Sequence, residues 1–172
     1  PYVAETLTFV VGGSSGTTTN VSVTAGSSAQ DVADAISQQV TGVSAEARTE
    51  ANLTFSAATN SSVYTLSINN VTVSYTADSS ATVAEVHTGL AAAINAESSL
   101  QSLSASGGSL LSIVDETGAD IDIGYGATGD SLGSATILVD SRNYGDTAGT
   151  TTTEAALAEG EQTVVTGAIQ LY

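Results

Sequence analysis

The chain has 172 residues, 41% of them hydrophobic, and sets 18 acidic residues against two basic ones, Arg48 and Arg142, for a net charge of -16. That balance argues against nucleic acid and anionic membranes as partners, since both are gripped by basic surfaces. Cysteine is absent and neither basic residue is a lysine, so disulfides, thiol nucleophiles and lysine Schiff bases are excluded.

The core must come mostly from Val, Ile, Leu and Ala, because aromatics are 5% and Trp and Met are missing. Such side chains favour thin layers of sheet and helix over a deep pocket. A surface this acidic repels itself in dilute salt, but at marine ionic strength the screening length falls to roughly 3–5 Å, which suits salty water outside the cell. No apolar run is long enough to span a bilayer, and no leader pattern opens the chain. The abrupt start at Pro1 and the strand-like finish QTVVTGAIQLY read as a segment of a longer chain.

ETLTFVV, residues 5–11, alternates Leu7, Phe9 and Val11 with Thr6, Thr8 and Val10 and is expected to form a strand. GGSSGTTT supplies a hairpin connection to NVSVTA, where Val21, Val23 and Ala25 resume the alternation. Ser28, three residues before Asp31, makes a capping arrangement, and Ala29, Val32, Ala33, Ile36 and Val40 recur at helical spacing. A helix is therefore expected over 29–40, closed by Gly42. VSAEARTEANLTFSA follows as one long strand or two broken ones.

The order then recurs. Tyr64, Leu66 and Ile68 alternate up to Asn69-Asn70, a pair that tolerates positive φ, and Val71, Val73 and Tyr75 return from the turn. Thr82 and Glu85 offer a second capping box, ahead of a helix whose stripe is Val83, Val86, Leu90, Ala93 and Ile94. Gly89 should weaken that helix by about 1 kcal/mol. LQSLSA, SLLSIVDE and SATILVD are further strand candidates, and Gly107-Gly108 is a turn. GYGATG, 124–129, lacks a phosphate-binding lysine and is read as a turn, and the Thr-rich run 147–153 as a connector. Residues 164–171 alternate as one closing strand, expected to pair with the opening one.

This order predicts a strand-rich α+β fold of two small antiparallel-sheet units, each covered by one helix, a duplicated ββαβ. Burial between helix and sheet should dominate stability: Ile36→Ala or Ile94→Ala is expected to cost about 2–4 kcal/mol, and His87→Ala little.

Chemistry-bearing residues are sparse. His87 lies beside the apolar stripe with no nominated nucleophile or orienting acid, and is read as a helix-edge histidine. Asp115, Glu116, Asp120, Asp122 and Asp130 form the best acidic cluster. A Ca²⁺ site or a carboxylate pair could be built from it, but the spacing does not match an EF-hand and a solvated loop is preferred. Arg48 is expected to pair with Glu46 or Glu50, and Arg142 with Asp140 or Asp146. Asn20, Asn52, Asn60 and Asn70 head Asn-X-Ser/Thr sequons, as chance would give in so Ser/Thr-rich a chain. No catalytic, cofactor or metal residue is nominated, and no enzymatic activity is expected.

AQDVADAISQQVTGVSAEART and YTLSINNVTVSYTADSSATVAEVHTGLAAAINAESSL resemble the repeat in outer regions of bacterial flagellins and related flagellar proteins. The matching positions are Leu66, Ile68, Asn69, Val71 and Val73 in the strand pair, Ala91 to Asn95 at the helix end, and Gly42, Val43 and Ala45 after the first helix. The terminal VVTGAIQLY resembles the strand by which a flagellin outer region returns to its core. The long terminal helices that polymerise flagellins are missing from this segment. The resemblance implies a structural outer region at the filament surface, extracellular, with neighbouring flagellin subunits as partners and the isolated segment monomeric. It also implies an inner subdomain of residues 1–50 plus 150–172 and an outer one of 51–149. A cap or hook-associated protein, or a secreted calcium-dependent adhesin module, is the alternative.

Overall fold

The computed structural model describes residues 1–58, 61–128, 136–144 and 154–172. Strands β1 (Glu5–Val11) and β2 (Thr17–Val23) form a two-stranded antiparallel ribbon, with Leu7 opposite Val21 and Glu5 opposite Val23. Helix α1 (Ala29–Gln39) opens on the expected capping box. The Ser28 hydroxyl accepts from the Asp31 N–H, and the Asp31 carboxylate accepts from the Ser28 N–H at 2.9 Å. Gly42, at φ +86°, turns the chain out of the helix into β3 (Ala45–Phe55), one unbroken strand of 11 residues.

Strands β4 (Val63–Ile68) and β5 (Val71–Thr76) pair around Asn69 and Asn70, at φ +49° and +66°. Two successive positive-φ residues are what a tight hairpin turn with native strand twist demands, and Asn supplies them at low cost. Helix α2 (Val83–Ala96) starts on the Thr82/Glu85 capping box. The remaining strands are β6 (Leu103–Ser106), β7 (Leu111–Asp115), β8 (Ile121–Thr128), β9 (Ile137–Ser141), β10 (Glu154–Leu157), β11 (Gln162–Val165) and β12 (Ala168–Leu171). The fold is thus strand-rich α+β.

Its pairing departs from two self-contained units. β3 enters a six-stranded sheet ordered β10-β9-β3-β7-β6, with β12 also on β3, while the β4–β5 hairpin is extended into a four-stranded sheet, β11-β8-β4-β5. The main core lies between these two sheets. Ala51, Leu53, Phe55, Ile113 and Val139 of the first meet Tyr64, Leu66, Ile68, Ile121, Ile123 and Tyr125 of the second. Phe55 links them through edge-on contacts with Tyr64 at 5.5 Å and Tyr125 at 5.8 Å. Helix α2 closes one side by packing on β5 of one sheet and on β6 and β7 of the other. Val86, Leu90 and Ile94 point inward, whereas Val83 and Ala93 are only partly covered. A second, smaller core joins Val21 and Val23 to Val32, Ile36 and Val40, with Leu7, Phe9, Val43 and Ile169 against it.

Two local expectations are corrected. GYGAT is strand and not turn, because Tyr125 buries against Phe55 while Gly124 and Gly126 pair with Ser67 and Thr65; Gly129 lies outside the described residues. The closing segment is two strands, and neither joins the opening one: β11 pairs with β8 and β12 with β3. Gly167 allows the crossing between sheets, since a Cβ there would stand 2.3 Å from Thr49 Oγ1 and 2.7 Å from the Arg48 carbonyl. The second helix needs its glycine. A Cβ on Gly89 would fall 2.1 Å from the Tyr75 ring, so close packing on β5 requires what helix propensity disfavours.

Candidate functional site

Both basic side chains of the chain meet on one carboxylate. Along β3, Arg48, Glu50 and Asn52 share the face opposite Ala51, Leu53 and Phe55, because successive residues of a strand point to opposite sides. Arg48 Nη1 lies 3.0 Å from Glu50 Oε2, and Arg142, just beyond β9, places Nη1 2.9 Å from Glu50 Oε1. Arg48 pairs with Glu50 as expected, and its Nε also donates to Glu116 at 3.2 Å. Arg142 reaches a partner that local spacing did not nominate; Asp146 lies outside the described residues.

Backbone and hydroxyl groups complete the arrangement. The Arg142 N–H donates to the Glu50 carbonyl at 3.1 Å, and the Ser112 hydroxyl of β7 to Glu50 Oε1 at 3.3 Å. Glu50 is 7% exposed. One buried carboxylate therefore binds together β3, β7 and the end of β9. Such a network offsets its own desolvation only when its hydrogen bonds are satisfied, and its best-attested effect is to fix register. A shallow groove of about 510 Å³ lies over it, lined by Arg48, Glu50, Asn52, Ser109, Ser112 and Arg142. Asn52 Oδ1 is buried and has no hydrogen-bond partner among the described residues.

The acidic cluster is dispersed. Asp115 is buried at the end of β7, where it accepts from the Thr117 N–H at 2.8 Å, and Glu116 turns to Arg48. Asp120 stands 3.8 Å from the terminal amine, and the Asp122 N–H donates to Asn69 Oδ1 at 2.9 Å. Asp130 lies outside the described residues, as do Asn60 and the run 147–153. Among the described residues no three His, Asp or Glu side chains are grouped to hold a metal ion. Of the sequons, Asn52 is buried in β3, whereas Asn20 and Asn70 are exposed.

His87 corrects the helix-edge expectation: its side chain is completely buried. Nδ1 lies 2.9 Å from the Gly108 carbonyl, Nε2 lies 3.4 Å from the Phe55 N–H, and the ring meets the Phe55 ring at 5.5 Å. Burial lowers its pKa, and the Gly108 carbonyl pushes weakly the other way. The signal in the sequence was its position directly after Val86 on a helix packed from two sides. A one-sided stripe could not show the second sheet.

Two side-chain clamps have no signature in the sequence. On α1 the Ser37 hydroxyl donates to the Ala45 carbonyl and accepts from the Ala45 N–H, at 3.2 and 2.9 Å. On α2 the Asn95 amide does the same to Ala105, at 2.8 and 2.9 Å. Each helix thereby fastens the strand that follows it.

Among the described residues no helix is long and apolar enough to cross a membrane. In comparisons with known proteins, residues 6–59 match the flagellin hook IN motif. The match runs from β1 to just past β3, and so takes in the first ribbon, α1 and the long strand that follows. No curated protein matches the chain.

Proposed function

We propose that this chain, which carries a flagellin hook IN motif over residues 6–59, is a non-enzymatic surface module of a flagellin-type structural protein. The motif is the observation that carries the reading. It decorates an extracellular filament, contacts neighbouring subunits, and keeps the surface soluble through its negative charge. Residues 1–50 with 150–172 form the part nearer the filament axis and 51–149 the part farther out.

The second ββαβ run is a diverged copy of the first. Matching capping boxes at Ser28 and Thr82 and matching strand clamps at Ser37 and Asn95 support this.

The chain has no cysteine, so a single Ser80→Cys substitution gives a clean probe on an exposed loop. With a maleimide label on intact cells of the source organism, signal along the whole filament is expected. Signal confined to the filament tip or the hook junction would instead assign the chain to a cap or hook-associated protein. No signal on any appendage would overturn both.

A further inference from the structure

His87 sits where three pieces of backbone converge. A carbonyl can only accept and a backbone N–H can only donate, so the Gly108 carbonyl requires Nδ1–H and the Phe55 N–H requires a bare Nε2. Both conditions hold only for the neutral ring in one tautomer. A proton on Nε2 would set two donors against each other in a site without water-accessible surface.

The contacts are close all round. A Cβ on Gly107 would lie 2.4 Å from Thr88 Cα and 2.5 Å from the His87 carbonyl, so the turn between β6 and β7 presses directly on the backbone of α2. We propose that His87 is a pH-operated latch, holding α2 and the β6–β7 turn on β3 while its imidazole is neutral and letting them part when it gains a proton.

Among the described residues, burial and the Gly108 carbonyl are what act on the ring, and no charged side chain compensates that proton. On β3, Arg48 and Glu50 occupy the opposite face; on α2, the Glu85 carboxylate is tied to the Thr82 N–H at 2.7 Å; the turn, Gly107-Gly108-Ser109-Leu110, has no titratable side chain. Across β3 the groups nearest Phe55 are the phenols of Tyr64 and Tyr125, which stay neutral at acid pH.

The test is amide hydrogen exchange on the whole chain between pH 7 and 5, read as protection factors, beside His87→Gln. In this window ordinary carboxylates stay ionised, and the variant carries the same carboxylates and terminal amine. For the wild type, protection of Phe55 and of the β6–β7 strands is expected to fall by up to about tenfold per pH unit below about 6.5. Val21 in the first ribbon should keep its protection, and the variant should show no such slope. A flat wild-type profile, an equal slope in the variant, or a parallel loss at Val21 would overturn the latch. Should the variant not fold, long-range ¹⁵N–¹H spectra of the wild-type imidazole decide: Nδ1–H with bare Nε2 supports the latch and Nε2–H overturns it.

Discussion

Removing the imidazole of His87 takes away an acceptor from the Phe55 N–H and a donor from the Gly108 carbonyl, and leaves a hole beside the Phe55 ring. Each stranded buried polar group costs about 1–3 kcal/mol, and the lost packing adds to that. His87→Ala is therefore expected to cost about 3 kcal/mol or more, as much as Ile36→Ala or Ile94→Ala, in urea unfolding at pH 7.5. A loss under 1 kcal/mol would show that the ring is not bonded as described. The sign with pH follows from the lowered pKa: the stabilisation is complete above about 6.5, the unfolded value, and is lost as pH falls toward the folded one. Tyr125 works at the other end. Burial first, then Tyr64 and Glu159, push its phenol up to about 12, so its contribution is complete below about 10 and fades as the pH climbs toward that value.

At the scale of elements, whatever is set within a few residues could be read directly. The Ser28 and Thr82 caps, the Asn69-Asn70 turn and the apolar stripes of both helices depend on neighbours three or four positions away, and all are found in place except that Val83 and Ala93 of the second stripe are only partly covered. Sheet membership depends on partners far along the chain. Nothing local in Ala45–Phe55 marks it as the strand that β7, β9 and β12 all join, and nothing in GYGAT outweighs its glycines until Tyr125 is seen to bury against Phe55. The same limit hid the site: Glu50 was legible as a partner of Arg48, but Arg142 lies 92 positions away. Gly89 allows the conflict between local preference and packing to be measured. Gly89→Ala alone should destabilise the chain despite a helix-propensity gain of about 1 kcal/mol, because its methyl meets the Tyr75 ring. Adding Tyr75→Ala should turn that substitution neutral or favourable. Additive losses in thermal unfolding of the double mutant would contradict the contact.

Across the whole molecule, the net charge of -16 sets the response to salt. Raising the salt from 0.01 to 1 M shortens the screening length from about 30 to about 3 Å, and mutual repulsion among exposed carboxylates fades with it. The melting temperature should rise by about 2–4 °C for each kcal/mol of repulsion removed. A fall with added sodium chloride would mean that the Glu50 ion pairs, and not the surplus acids, govern the response.

That clasp on Glu50 also decides how the chain meets digestion. Enzymes of the trypsin type cut after arginine or lysine, and here the bonds following Arg48 and Arg142 are the only ones on offer. The first is inside a paired strand with its side chain held by two carboxylates; the second is anchored by its own amide to the strand beside it. Incubation with trypsin should leave the native chain whole and yield three fragments once it unfolds, so cleavage would serve as a clock for opening of the sheet.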